Sequence, residues 1–208
     1  MTFTPIPSGT TDWDVPLNAA LTDLQSQITA LSAATGFAAT DHGLETWTHD
    51  PYPPQNSQIA TNGTLYLVRL NVRRDVTVDA IHWVVTSNGA TPTSTQNQVG
   101  LYSSAGTRLA VTNVDASISS SGSKATAIAA QALTAGTFVW AGFLFNAGTA
   151  PTLLRGSTFS TSPSVNLTAA SGRAVVAGTG LTTLPASITP ASNTFTNNVT
   201  FWAGLEAA

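Results

Sequence analysis

The chain has no cysteine, a single lysine at Lys124, and two glutamates, Glu45 and Glu206, among its 208 residues. Without cysteine there are no disulfides, no thiolate nucleophile and no cysteine-held zinc, and the redox compartment leaves no mark on the sequence. Charged residues make up 8%, against roughly 25% in ordinary soluble domains. Seven basic residues stand against ten acidic ones, for a net charge of −3. Binding nucleic acid requires cations that displace counterions from phosphate, so that function is excluded. A basic helix lying on a membrane surface is excluded on the same ground. No apolar run reaches the roughly 18 residues of a spanning helix, so no membrane insertion is expected. The opening Met1-Thr-Phe-Thr-Pro5 has neither the basic nor the apolar region of a signal peptide.

Small polar and small apolar residues fill the gap: 34 Thr, 20 Ser and 31 Ala. With 42% apolar residues the chain can bury a sizeable core, enough for one domain with an appendage. A Thr-rich, Lys-poor composition suits an exposed β protein that works outside a cell. The chain divides into a polar arm over residues 1–14, a helix over 15–35, a linker over 36–60 and a β region over 61–208. The linker contains Asp50-Pro-Tyr-Pro-Pro54, which fits neither regular helix nor central strand.

The helix carries the strongest periodicity. Asp14 is a good N-cap and Pro16 sits in the first turn, where a missing N–H costs little. Leu17, Leu21, Leu24, Ile28 and Leu31 follow at steps of 4, 3, 4 and 3, a heptad stripe closed by Gly36. Two readings fit: a helix lying on the chain's own core, or a short parallel coiled coil between identical chains. The narrowness of the stripe and the Pro-rich link favour the second. The stripe does not choose between dimer and trimer.

At least eight strands are expected, roughly over 64–72, 76–86, 97–103, 107–112, 125–131, 137–146, 173–178 and 198–205, separated by Asn, Gly, Pro and Ser clusters. Ser103-Ser-Ala-Gly106 reads as a tight hairpin turn. Leu65, Leu67, Val99 and Leu101 alternate with their neighbours, predicting half-buried faces, whereas 137–146 is apolar on both faces and reads as a central strand. The expected fold is an antiparallel β-sandwich, jelly-roll-like, with long surface loops over 146–172 and 179–197.

Candidate chemistry is thin. Asp41-His42 and His49-Asp50 form a mirrored pair of metal-ligating residue types, but the spacing follows no ligand pattern, so no metal and no cofactor are expected. His82 with Asp79 and one of many serines leaves a triad open in principle, yet no Gly-x-Ser-x-Gly elbow occurs. Gly178-Thr-Gly180 is no phosphate loop, since no Gly-Lys-Ser/Thr follows. No catalytic residue is assigned. Trp83, Trp140 and Trp202 lie in strands and read as core, while Trp13 and Trp47 flank the helix. The arm has too little apolar surface to fold alone and would order against a partner through Pro5, Pro7 and Trp13.

The string Gly9-Thr-Thr-Asp-Trp-Asp-Val-Pro-Leu-Asn-Ala-Ala-Leu-Thr-Asp-Leu-Gln25 resembles the start of minor tail and fibre-like proteins of tailed bacteriophages that infect actinobacteria. Val99-Gly-Leu-Tyr-Ser-Ser-Ala-Gly106 and Phe138-Val-Trp-Ala-Gly-Phe-Leu-Phe-Asn146 are similar to jelly-roll heads on tail and capsid appendages. The resemblance implies a homotrimer in the virion. Its arm would dock on other virion structural proteins, its helices would form a stem, and its β domains a knob touching host cell-wall glycan. The resemblance supplies no catalytic residue. The expected function is therefore structural and adhesive. A carbohydrate-binding β-sandwich module without catalysis, or a hydrolase, are the competing classes.

Overall fold

The structure, a computed structural model, describes residues 14–34, 38–51, 56–156, 166–196 and 199–208. Two compact units result, Met1–Ala38 and Ala39–Ala208. In the first, helix α1 spans Asp14–Ala34. Thr22 Oγ1 donates to the Asn18 carbonyl and Gln27 Nε2 to Asp23 Oδ2, both at 2.8 Å, so its polar face is laced by contacts four residues apart.

The second unit is an antiparallel β-sandwich. Its strands are β1 (Thr46–Trp47), β2 (Asn56–Ile59), β3 (Leu65–Asn71), β4 (Val76–Ser87), β5 (Ala90–Pro92), β6 (Gln98–Ser103) and β7 (Arg108–Asn113). They continue with β8 (Gly122–Leu133), β9 (Phe138–Leu144), β10 (Ala147–Thr149), β11 (Thr152–Arg155), β12 (Ala174–Gly178), β13 (Thr194–Phe195) and β14 (Ala203–Ala207). One sheet runs β1-β14-β4-β11-β2 with β8 also paired to β4; the other runs β13-β12-β3-β9-β6-β7. β5 and β10 form a separate ribbon.

The core lies between the sheets because each strand turns alternate apolar residues inward. The first sheet contributes Ile81, Trp83, Val85, Leu153 and Leu205; the second contributes Val68, Leu70, Val99, Leu101 and Phe143. Aromatic rings interlock at its centre, with Trp83 at 6.1 Å from Phe143 and 5.8 Å from Phe145, and Phe201 at 5.1 Å from Tyr66. The Trp83 indole N–H is satisfied by Thr126 Oγ1 at 2.8 Å. Trp83, Trp140 and Trp202 are all buried, and β9 is central between β3 and β6, as their sequence contexts predict. The hairpin at Ser103–Gly106 forms as well, closed by the Gly106 N–H on the Ser103 carbonyl and by Gly106 at a φ of +91°.

Three expectations are corrected. The segment read as a linker over 36–60 supplies strands: β1 pairs with β14, and β2 with β11. The segment read as a loop over 146–172 contains β10 and β11, and β11 lies inside the first sheet between β4 and β2. Neither Leu65 and Leu67 nor Val99 and Leu101 lie on a half-buried strand, since β3 and β6 are each buried on both faces over most of their length. Both faces of β3 are covered at this end, because the 179–193 segment folds back over the second sheet. It seals a second apolar cluster of Leu65, Leu67, Tyr102, Trp140, Leu144, Val175 and Leu184. The cover is held by the Leu184 N–H on Gln98 Oε1 at 2.7 Å, the Tyr102 hydroxyl on the Pro185 carbonyl at 2.8 Å, and the Arg108 guanidinium on the Leu184 carbonyl. Gly100 makes room for it: a Cβ there would meet Leu184 Cδ1 at 2.8 Å and the Ala110 carbonyl at 2.6 Å. Burial pushes the Tyr102 phenol far above its ordinary pKa, so it stays a neutral donor.

Candidate functional site

The outward positions of β3 run Leu65, Leu67, Arg69, Asn71. The first two lie under the 179–193 cover. Arg69 is only half-buried and Asn71 is exposed, so the face opens where the side chains turn polar. The register that pairs Ala174 with Val68 carries on for one step, and the Arg69 N–H donates to the Arg173 carbonyl at 2.9 Å. Directly opposite residues of an antiparallel pair share a face, so Arg69 and Arg173 stand side by side.

Both guanidinium groups are held. Arg69 Nε donates to Asn71 Oδ1 at 2.9 Å and Nη1 to the Ser171 carbonyl at 2.8 Å. Its carbon lies 4.1 Å from the centre of the Phe138 ring, a cation–π arrangement. Phe138 in turn packs edge-on against Trp140 at 4.9 Å. Arg173 Nη2 donates to the Thr48 carbonyl at 3.2 Å. Burial, and then the charge of Arg173, lower the Arg69 pKa from its ordinary value. Two adjoining recesses open here. One, of about 450 Å³, is lined by Arg69, Asn71, Val72, Arg73, Gly136 and Thr137. The other, of about 250 Å³, is lined by Trp47, Thr48, Arg69, Asn71, Leu167 and Arg173.

The residues singled out in the sequence fall elsewhere. On α1, Leu17 is 37% exposed, Leu24 is 47% exposed and Leu21 is half-buried. The side chains of Ile28 and Leu31 lie outside the described residues, as do Pro5, Pro7 and Trp13. His42 lies against Trp47, ring centres 5.3 Å apart, and Trp47 belongs to β1. Among the described residues no three metal-ligating side chains converge. His82 meets a carboxylate, but it is Glu206 of β14 at 2.7 Å and not Asp79. Among the described residues no hydroxyl bonds the His82 ring. Glu45 is tied by two donors of Arg74 at 2.6–2.9 Å, a bidentate pair that raises the Arg74 pKa. Among the described residues no helix is long and apolar enough to cross a membrane.

The arginine pair escaped the sequence reading because its members are over a hundred residues apart. One local signal exists: in Leu-Tyr-Leu-Val-Arg-Leu-Asn, Arg69 breaks the apolar phase set by Leu65 and Leu67. The chain matches no known protein family, and no curated protein matches it.

Proposed function

We propose that the chain is a non-catalytic structural protein of a bacteriophage virion, a homotrimeric tail or capsid appendage that contributes to host-surface adhesion. One observation carries the reading: helix α1 presents Leu17 and Leu24 to solvent on a heptad stripe that precedes the β-sandwich. Helices in proteins take most of their stability from packing an apolar face, and a stripe of this spacing is self-complementary, so identical helices are its fitting cover. Its scarcity of charge leaves no interhelical salt-bridge code and favours copies in register through apolar packing alone. The non-catalytic reading is supported by the two glutamates, both of which are tied, Glu45 to Arg74 and Glu206 to His82.

Light scattering on the full chain tests the assembly, with a trimer expected. Leu24→Asp places charge on the shared seam and is expected to shift the population to monomer with the β-sandwich intact. A variant that stays trimeric with an unchanged melting point removes the stem. Deletion of residues 1–12 is expected to leave a folded oligomer that no longer enters particles, read by antibody labelling of virions. A stable monomeric wild type would favour the second reading, a carbohydrate-binding module, for which the recesses beside Trp47 are the supporting observation.

A further inference from the structure

We propose that the recesses around Arg69, Asn71, Arg73 and Arg173 bind an oxyanion carried on a sugar or polyol, the phosphate or carboxylate group of an anionic glycan. Like charges directly opposite on adjacent strands destabilise a sheet, and this fold keeps Arg69 and Arg173 in that relation. Three of the chain's seven cations line these two recesses. The groups that fix Arg69 are neutral: an amide oxygen, a carbonyl and a phenyl ring. They orient the guanidinium without neutralising it. Among the described residues no carboxylate bonds Arg69 or Arg73. Donors are left over on the same face, Nη2 of Arg69, Nδ2 of Asn71 and the Arg73 fork, none of which has a partner among the described residues. A planar fork of this kind recognises carboxylate or phosphate through two parallel bonds.

The surroundings narrow the class. Two chambers that share Arg69 and Asn71 suit an extended ligand with hydroxyls rather than a lone ion. The half-buried Trp47 offers an apolar ring at one end, and Thr137 a hydroxyl at the other. A nucleic acid is not the partner, because its affinity requires many phosphate contacts and the chain's net charge is −3. The inference names the ligand class for the adhesion reading and rests on that reading for its biological setting. The binding itself depends only on the β unit, so direct titration and particle attachment can fail independently.

The test is calorimetric titration of the full chain with inorganic phosphate, glycerol 3-phosphate, glucuronate and glucose. At least one anionic probe should bind, with glucose about tenfold weaker or worse, as loss of a charge-assisted bond implies. Arg69→Gln and Arg173→Gln should each weaken the anion by about tenfold or more. Arg73→Gln, at an exposed position with no partner among the described residues, serves if the Arg69 variant does not fold. Lys124→Gln, whose ammonium bonds Ser120 elsewhere, should change nothing. Tighter glycerol 3-phosphate assigns a phosphate source, and tighter glucuronate a carboxylate source; either supports the site. No anion binding by the wild type, equal binding of glucose, or equal binding by the arginine variants overturns it.

Discussion

Along its length, the outer face of β3 passes through two surfaces of opposite character. Near Leu65, Leu67, Tyr102 and Leu144 the face is sealed by the 179–193 segment, and Tyr102 and Leu184 sit against glycines that clear space for them. Two residues further along β3, at Arg69 and Asn71, the cover ends and the face meets solvent. Strand geometry is the same on both sides of that line. The difference is made by a segment distant in sequence, which buries one half and leaves the other to polar chemistry. Trp140 stands at the boundary, opposite Arg69 in register and bonded through its indole N–H to the Gly172 carbonyl at 3.3 Å.

Trp140→Ala should do the most damage, since it empties the largest fully buried side chain of the outer cluster. A loss of about 3–5 kcal/mol is expected in urea denaturation. Leu184→Ala removes the residue that plugs the cover and should cost about 2–4 kcal/mol, with the apolar half becoming accessible to a hydrophobic dye. If Leu184→Ala is neutral, the cover does not stabilise the covered half and the contrast fails.

Acid should separate the halves more gently. Burial pushes the Asp115 carboxyl up, but bonds from the Asn97 side chain and from the Thr95 and Asn97 backbone outweigh it, leaving the pKa below its ordinary 3.8. A depressed pKa contributes stability that is present above about 3.8 and lost as pH falls through the lower folded value. Asn97 accepts the Asn146 N–H at 2.9 Å, and Asn146 Nδ2 donates to the Leu181 carbonyl at 2.9 Å, so the loss reaches the cover. Amide protection at Thr95, Asn97 and Leu181 should fall below that pH while Arg69 keeps its protection. The smallest effect is expected from Arg173→Gln, which removes the charge beside Arg69 together with the bond to the Thr48 carbonyl. A net change within a few tenths of a kcal/mol is expected in thermal melts, its electrostatic part shrinking with added salt. A clear destabilisation would mean that Arg173 serves packing and not the open half.

Long strands with one clear period were legible in the sequence. β3, β4, β6, β7 and β9 fall within a residue or two of the expected spans, because each turns at least three residues to one face. The strands that were missed are short. β1 and β13 have two residues each, and β11 has four, too few to show alternation; β11 becomes a strand because β4 and β2 pair with it. The 179–193 segment looked like a polar loop because its apolar residues, Leu181, Leu184 and Ile188, are spaced without strand or helix period. They are set by the shape of the cluster they cover. Arg69 and Arg173 were invisible as a pair for a related reason: cross-strand neighbours are fixed by register, and register between β3 and β12 is a tertiary fact. His82 found Glu206 in the same way, across 124 positions.

That last separation has a consequence for how the protein is made. β14 lies between β1 and β4, and its Ala203 and Leu205 are fully buried. A ribosome adds roughly 5–20 residues per second, so the 124 residues from His82 to Glu206 take about 6–25 s to appear. For that interval β4 holds one unpaired edge open beside Ile81 and Trp83, a template for pairing with a neighbouring nascent chain. β8, which pairs with β4 from Val76 to Val85, emerges much sooner and closes the other edge. Nascent chains crowded on one message would therefore tend to associate through the β14 slot, and slower translation would lengthen that exposure.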